Sequence, residues 1–178
     1  MENASMQRHS SRIIALHWLT LALLGGAFVL GKAVTQARES GSVTLTDYQW
    51  HLVAGLLVLA ATALRLFFRR RDGVPAPALQ PRLYQALTRW VHRGLYAVLI
   101  LVPLSGMATV RSSAIGQALS AGNAALLPAS LQRVTMLGVH KTLIGVLVLL
   151  VTLHVLAALK HQFVNRDRLL ARMGLGRP

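Results

Sequence analysis

The sequence predicts an all-α integral membrane protein, a four-helix bundle forming one domain over residues 1–178, with both termini in the cytoplasm. Hydrophobic residues make up 54% of the chain and charged residues only 13%, whereas a typical soluble domain has about 25% charged residues. Four apolar segments of about 20 residues each are long enough to cross a ~30 Å hydrocarbon core. They lie at residues 13–31, 50–68, 90–110 and 139–159.

The segments and their connections follow in order along the chain. The first contains His17 and Trp18 and lacks a small-residue cleavage site, so we expect a retained helix rather than a signal peptide. A proline-rich linker at 72–81 joins the second segment to the third and cannot be helical throughout. The loop at 112–132 joins the third to the fourth. Its small and apolar residues predict an interfacial helix or a cap over the outer end of the bundle.

The orientation follows from the basic residues, because cytoplasmic loops carry an excess of Lys and Arg. Of the 19 basic residues, 14 fall on the side that holds both termini and 19 − 14 = 5 on the other. The net charge of +14 is therefore concentrated at helix ends, where it would meet anionic lipid head groups. No basic patch of the nucleic-acid-binding kind occurs. The chain has no cysteine, which excludes disulfides, iron–sulfur clusters and thiolate-bound zinc.

Five histidines lie within or at the edges of the spans, where a histidine is costly and usually functional. The helix directions place His51 and His140 near the outer surface, and His17 and His154 near the inner surface. His140 and His154 are 14 residues apart, so they share one helix face at an axial separation of about 21 Å. The two pairs would ligate two stacked haems, and bis-histidine ligation suits electron transfer. For any single histidine, a hydrogen bond to a neighbouring helix is the alternative.

An arginine at the depth of the inner pair supports this interpretation. Arg65 follows His51 by 14 residues and therefore lies on the same helix face. A buried arginine needs an anionic partner, and the apolar spans contain no acidic residue, so we expect a haem propionate. The alternative is that Arg65 extends to the cytoplasmic head groups. Gly55 would let a flat macrocycle approach, or would serve a helix–helix contact. No carboxylate accompanies the histidines, so a zinc or di-iron site is not expected.

Two further histidines lie close to the inner surface. His92 stands between Arg89 and Arg93, which favours His17 over His92 as the inner ligand. A histidine titrates near neutrality, so His92 would hydrogen-bond a quinone carbonyl or move protons, or else it is an interfacial residue bonded to lipid or a propionate. His161 follows His154 by seven residues and has the same alternatives.

The chain resembles the bacterial di-haem cytochrome b561 proteins, which are similar to the cytochrome b subunits of nickel–iron hydrogenases and respiratory formate dehydrogenases. The resemblance covers essentially the whole chain. The matching features are Arg12-Ile-Ile-Ala-Leu-His17-Trp18, His51 with Arg65-Leu-Phe-Phe-Arg69, the proline-rich linker, His92 with Pro103, and the His140/His154 pair. The resemblance implies two non-covalent haem b groups, an inner one on His17 and His154 and an outer one on His51 and His140.

The resemblance also implies a function in the bacterial inner membrane. Short members of the family stand alone and exchange electrons with the quinone pool, and one type is similar to a superoxide oxidase. We therefore expect a quinone-linked oxidoreductase that passes electrons from a periplasmic donor such as superoxide to ubiquinone, without requiring a protein partner. The alternative is an electron-transfer and anchoring subunit for a periplasmic redox partner. A haem-free helical scaffold or transporter is a third hypothesis, which would leave the two histidine levels unexplained.

Overall fold

The computed structural model describes residues 8–73, 82–166 and 169–176 of the chain. Four long helices run through it, together with a short outer helix, and each of the four is long and apolar enough to cross a membrane. The predicted linker at 72–81 lies almost entirely outside the described residues. The helices are α1 (Ser11–Glu39), α2 (Leu45–Asp72), α3 (Arg82–Arg111), the short α4 (Ile115–Ala121) and α5 (Thr135–Phe163).

All four long helices extend beyond the predicted apolar segments, and side-chain caps mark the starts of α1 and α2. The Ser10 side chain accepts a hydrogen bond from the Ile13 amide at the start of α1. Thr44 and Asp47 form a reciprocal capping box at the start of α2, which satisfies amide groups that the helix leaves without a partner. Gly73 ends α2 with a φ of 75°, a conformation that glycine adopts at little cost.

The four long helices pack as a chain of neighbours, not as a closed ring. Helix α1 packs on α2, α2 on α3, and α3 on α5, while α5 makes at most sparse backbone contact with α1 and α2 among the described residues. A small core of Val58, Val98, Leu99 and Leu147 joins α2, α3 and α5. Many large apolar side chains face outward, as lipid contact requires. A gap therefore remains between α5 and the α1–α2 pair.

The predicted cap is present over one end of the bundle, which is called the outer end after its predicted orientation. Helix α4 and the 3₁₀ turn Ala124–Leu126 lie in it, and Ile115, only 2% exposed, packs with Leu131 against Tyr48. Arg38 ties the cap to the bundle. Its guanidinium donates to the Tyr48 hydroxyl at 2.6 Å and to the carbonyl oxygens of Pro128 and Ala129 at 3.0 and 3.3 Å.

The two ends of the chain meet at the opposite, inner end of the bundle. The 3₁₀ helix Leu169–Met173 lies against the start of α1. The His9 amide donates to the Arg172 carbonyl at 3.3 Å, and the Trp18 indole donates to the Met173 carbonyl at 3.0 Å. Both termini are thus at the same end of the bundle, because an even number of spanning helices returns the chain to the side on which it began.

Candidate functional site

The fold brings the four predicted ligands together as two pairs. The ring centres of His17 and His154 are 6.3 Å apart, with their planes at 71°. The ring centres of His51 and His140 are also 6.3 Å apart, with their planes at 84°. Each pair joins α5 to a helix across the gap, α1 for the inner pair and α2 for the outer pair. These are the pairs predicted from depth and direction along the chain.

The spacing within each pair fits two imidazoles that share one metal ion. Two metal–nitrogen bonds of about 2.0 Å, with about 1.1 Å from each nitrogen to its ring centre, separate the ring centres by about 6.2 Å. Two imidazoles on one iron ion are a ligand set suited to a haem, so each histidine pair would be able to hold one. His92 also approaches His154, with ring centres 5.2 Å apart. This distance is too short for a shared iron, so the geometry favours His17 as the partner of His154.

Hydrogen bonds determine which ring nitrogen of His51 and of His140 keeps a free lone pair. Nδ1 of His51 is 3.1 Å from the Ala27 carbonyl oxygen, and Nδ1 of His140 is 3.0 Å from the Val102 carbonyl oxygen. A carbonyl oxygen only accepts hydrogen bonds, so both Nδ1 atoms carry the proton. The Nε2 atoms then carry the free lone pairs, and an Nδ1–H donated to a backbone carbonyl is the usual state of a metal-bound histidine.

A cavity of about 930 Å³ opens beside the outer pair. His51, His140 and Gly55 line it, and a Cβ atom on Gly55 would meet nothing within 4 Å. Gly55 therefore borders open space, as expected if a flat macrocycle lies there, and it does not serve a tight helix contact. The cavity lining includes the charged residues Lys32, Arg38, Glu39 and Lys141 together with Gln132, and these five residues are called its rim.

Two glycines that the sequence did not single out hold the outer histidine rings in place. A Cβ atom on Gly31 of α1 would lie 2.9 Å from Cε1 of His51, and one on Gly106 of α3 would lie 3.2 Å from Cε1 of His140. Each ring therefore packs directly on the backbone of a neighbouring helix. Nothing in the chain could have identified these glycines, because each contact joins residues on different helices.

Arg65 lies at the inner end, as predicted. Its Nε atom is buried without a hydrogen-bond partner, and its guanidinium carbon is 5.5 Å from the Tyr96 ring centre. It lies close enough to His17 and His154 for electrostatic interaction. A buried guanidinium nitrogen with no partner is suited to a carboxylate. The inner residues therefore fit a haem whose propionate would contact Arg65.

The remaining histidines lie around the same inner end. Nδ1 of His92 is 2.7 Å from the Thr88 carbonyl oxygen, so this nitrogen also carries its proton. His161 lies near the C-terminal end of α5, with Nδ1 3.1 Å from the Asn165 side-chain amide.

His9 is a residue that the sequence reasoning left outside the site. Its ring is partly buried, and Nδ1 has no partner. Burial, followed by repulsion from Arg69, Arg65 and Arg172, lowers the pKa of His9 below its ordinary value. Its place in the short segment before α1 carries no periodic signal, so only the folded chain reveals it.

Comparisons with known proteins agree with this geometry. Residues 8–176 match the model of the family described as prokaryotic cytochrome b561. Cytochrome b562 of Cereibacter sphaeroides is 29% identical, with 90% of each chain covered. Cytochrome b561 homolog 1 of Escherichia coli K12 is 26% identical over 94% of this chain and 97% of its own. Homolog 2 from the same organism is 28% identical over 94% and 91%.

No solved structure matches the chain at a significant level. The family match covers nearly the whole described length and includes both histidine pairs, and the relatives are aligned over nine-tenths or more of their own lengths. The chain therefore belongs to the prokaryotic cytochrome b561 family of membrane haem proteins that transfer electrons.

Proposed function

We propose that the protein is a di-haem b cytochrome that carries electrons across the bacterial inner membrane, from a periplasmic donor to the ubiquinone pool. The observation that carries the proposal is the equal ring separation of 6.3 Å in two histidine pairs. Each pair has one member on α5, His140 in one and His154 in the other. These two residues are about 21 Å apart along the helix at 1.5 Å per residue. Two redox groups held in this way would bridge most of a ~30 Å hydrocarbon core.

The excess of basic residues at the end that holds both termini supports a cytoplasmic location for that end. In this orientation His17 and His154 face the cytoplasm, and His51 and His140 face the periplasm.

The residues around each pair have definite tasks in the proposed mechanism. Each bound haem supplies one-electron chemistry at its iron. The two imidazoles of a pair would hold the haem through its iron and would leave no ligand position open to oxygen. Carbonyl contacts hold the outer imidazoles in the Nδ1–H form. At the inner end, Arg65 would bind a propionate and neutralise its charge in a region of low dielectric.

The inner end also offers groups suited to a quinone. With Nδ1–H donated to Thr88, His92 has Nε2 available to accept a proton and pass it to a quinone oxygen. Its ring contacts His154, so a quinone bound there would lie close to the inner haem. His161 at the rim is the second candidate for this task.

The rim of the outer cavity favours a small anionic donor. Lys32, Arg38 and Lys141 line the cavity together with a single acidic residue, Glu39. A net positive rim concentrates small anions and increases their association rate, which is consistent with superoxide as the donor. Electron transfer would require only that superoxide approach the haem edge.

The central claim is tested by haem quantification and a reduced-minus-oxidised spectrum of the purified protein. We expect two haems per chain, with loss of the inner component in His17→Ala and His154→Ala and of the outer component in His51→Ala and His140→Ala. The matched control His161→Ala should retain both components. A wild-type protein that stays colourless after haem supplementation would refute the proposal.

A second experiment separates a stand-alone enzyme from an anchoring subunit. Superoxide is generated in the presence of the isolated protein and ubiquinone, and haem reduction is followed optically. Haem reduction followed by ubiquinol formation supports the stand-alone enzyme. Haems that superoxide does not reduce in the isolated protein, and that ubiquinol added in a parallel sample does not reduce either, would favour the subunit.

A further inference from the structure

Ser105 on α3 is the side chain that contacts a proposed iron ligand at its second ring nitrogen. The Ser105 hydroxyl oxygen is 3.0 Å from Nδ1 of His140, and the same hydroxyl donates to the Val102 carbonyl at 2.8 Å. Ser105 is only 8% exposed. Water therefore has little access to this contact.

The directions of these hydrogen bonds follow from the groups involved. The Val102 carbonyl oxygen accepts from both the Ser105 hydroxyl and Nδ1–H of His140. Because the Ser105 hydroxyl hydrogen is directed at Val102, its oxygen is free to accept from His140. The Nδ1–H group is thus shared between two oxygens of α3, and both stabilise the same tautomer.

The backbone around Ser105 restricts the ring further. Gly106, the next residue, allows the His140 ring to lie close to α3. A Cβ atom at this position would be 3.2 Å from Cε1 of His140, which is tighter than most contacts of real Cβ atoms. Pro103 within α3 lacks an amide hydrogen and removes one bond of the helical ladder. Val102, Ser105 and Gly106 of this segment all lie against the His140 ring.

The other outer ligand lacks such a side chain. Among the described residues, His51 has only the Ala27 carbonyl as a partner at Nδ1, which no substitution can remove cleanly. Ser105 is therefore the position at which the hydrogen bonding of an outer ligand can be altered without changing the ligand itself.

We propose that Ser105 is a positioning residue for His140, which holds the Nδ1–H tautomer and lowers the reduction potential of the outer haem relative to a site without the hydroxyl. A hydrogen bond accepted from Nδ1–H makes the imidazole a stronger base. A more basic axial ligand stabilises the oxidised iron, and hydrogen bonding beyond the ligand is a recognised determinant of haem potential. A lower outer potential favours passage of electrons from the outer haem to the inner haem. The inference rests on the proposed assignment of the outer haem to His51 and His140.

The test is a spectroscopic redox titration of the haem-loaded protein, with the outer component identified by its loss in His140→Ala. We expect Ser105→Ala to raise the midpoint potential of the outer component and leave the inner one unchanged. Ser105→Thr, which keeps a hydroxyl, should restore the outer potential towards the wild-type value. Ser105→Cys nearly keeps the side-chain size, but its sulfur is a weak acceptor, so it should shift the outer potential as Ser105→Ala does. It provides the measurement if Ser105→Ala loses its haem.

The matched control is Thr62→Ala. Thr62 is a fully buried residue on α2, and among the described residues its hydroxyl bonds only its own helix, at the Val58 carbonyl, so its loss should leave both potentials unchanged. An outer potential that is the same in wild type, Ser105→Ala and Ser105→Cys would overturn the inference. Equal shifts of both components in all variants, including Thr62→Ala, would do the same. A His140→Ala variant with an unaltered spectrum would instead refute the proposed function.

Discussion

Gly31→Ala should selectively weaken haem binding at the proposed outer site, since the added methyl group would lie 2.9 Å from Cε1 of His51. Real Cβ atoms essentially never come so close to a neighbouring atom, so the ring or the helix must move. Overpacking of this kind costs about 1–3 kcal/mol. At about 1.4 kcal/mol per tenfold, the outer haem should bind roughly 5- to 150-fold more weakly.

The assay is haem titration of the apoprotein, with the outer and inner components resolved by their spectra. The inner component should bind as in the wild type. Gly26→Ala is the matched control, because a Cβ atom there would meet nothing within 4 Å. In a helix interior alanine is about 1 kcal/mol more favourable than glycine, so the control should be neutral or stabilised. Wild-type affinity for the outer haem in Gly31→Ala would refute the reasoning that His51 is held by contact with α1.

Three further predictions concern separate parts of the site. Arg65→Gln should weaken inner haem binding roughly 10- to 150-fold, the equivalent of about 1.5–3 kcal/mol for a lost hydrogen bond to a charged group. Haem titration measures this affinity, and an unchanged value for the inner haem would contradict the propionate assignment. Gly55→Leu should prevent outer haem binding without lowering the thermal stability of the apoprotein, because its side chain would enter the cavity; normal haem content would contradict this. Arg38→Met should loosen the outer cap by removing its hydrogen bonds to Tyr48 and the cap, each worth about 1 kcal/mol. Faster trypsin cleavage after the exposed Arg133 would report it, and an unchanged rate would show that the cap is held by packing alone.

The chain by itself determined the four spanning helices and the two levels of histidine. Hydropathy and helical periodicity are local properties, so they can be read from the sequence without knowing which helices pack together. The 14-residue spacing of His140 and His154 fixes their common face for the same reason. The helix ends were predicted less well, because caps such as Thr44 with Asp47 depend on a few hydrogen bonds rather than on a long pattern.

Only the tertiary structure decided which groups surround each ligand. The flanking Arg89 and Arg93 already favoured His17 over His92 as the partner of His154, and the ring-centre distances of 6.3 and 5.2 Å to His154 support the same choice. The contacts of Ser105 with His140 and of Gly31 with His51 join side chains on different helices. Such contacts depend on the rotation and separation of packed helices, which arise from the whole bundle and leave no regular spacing in the sequence.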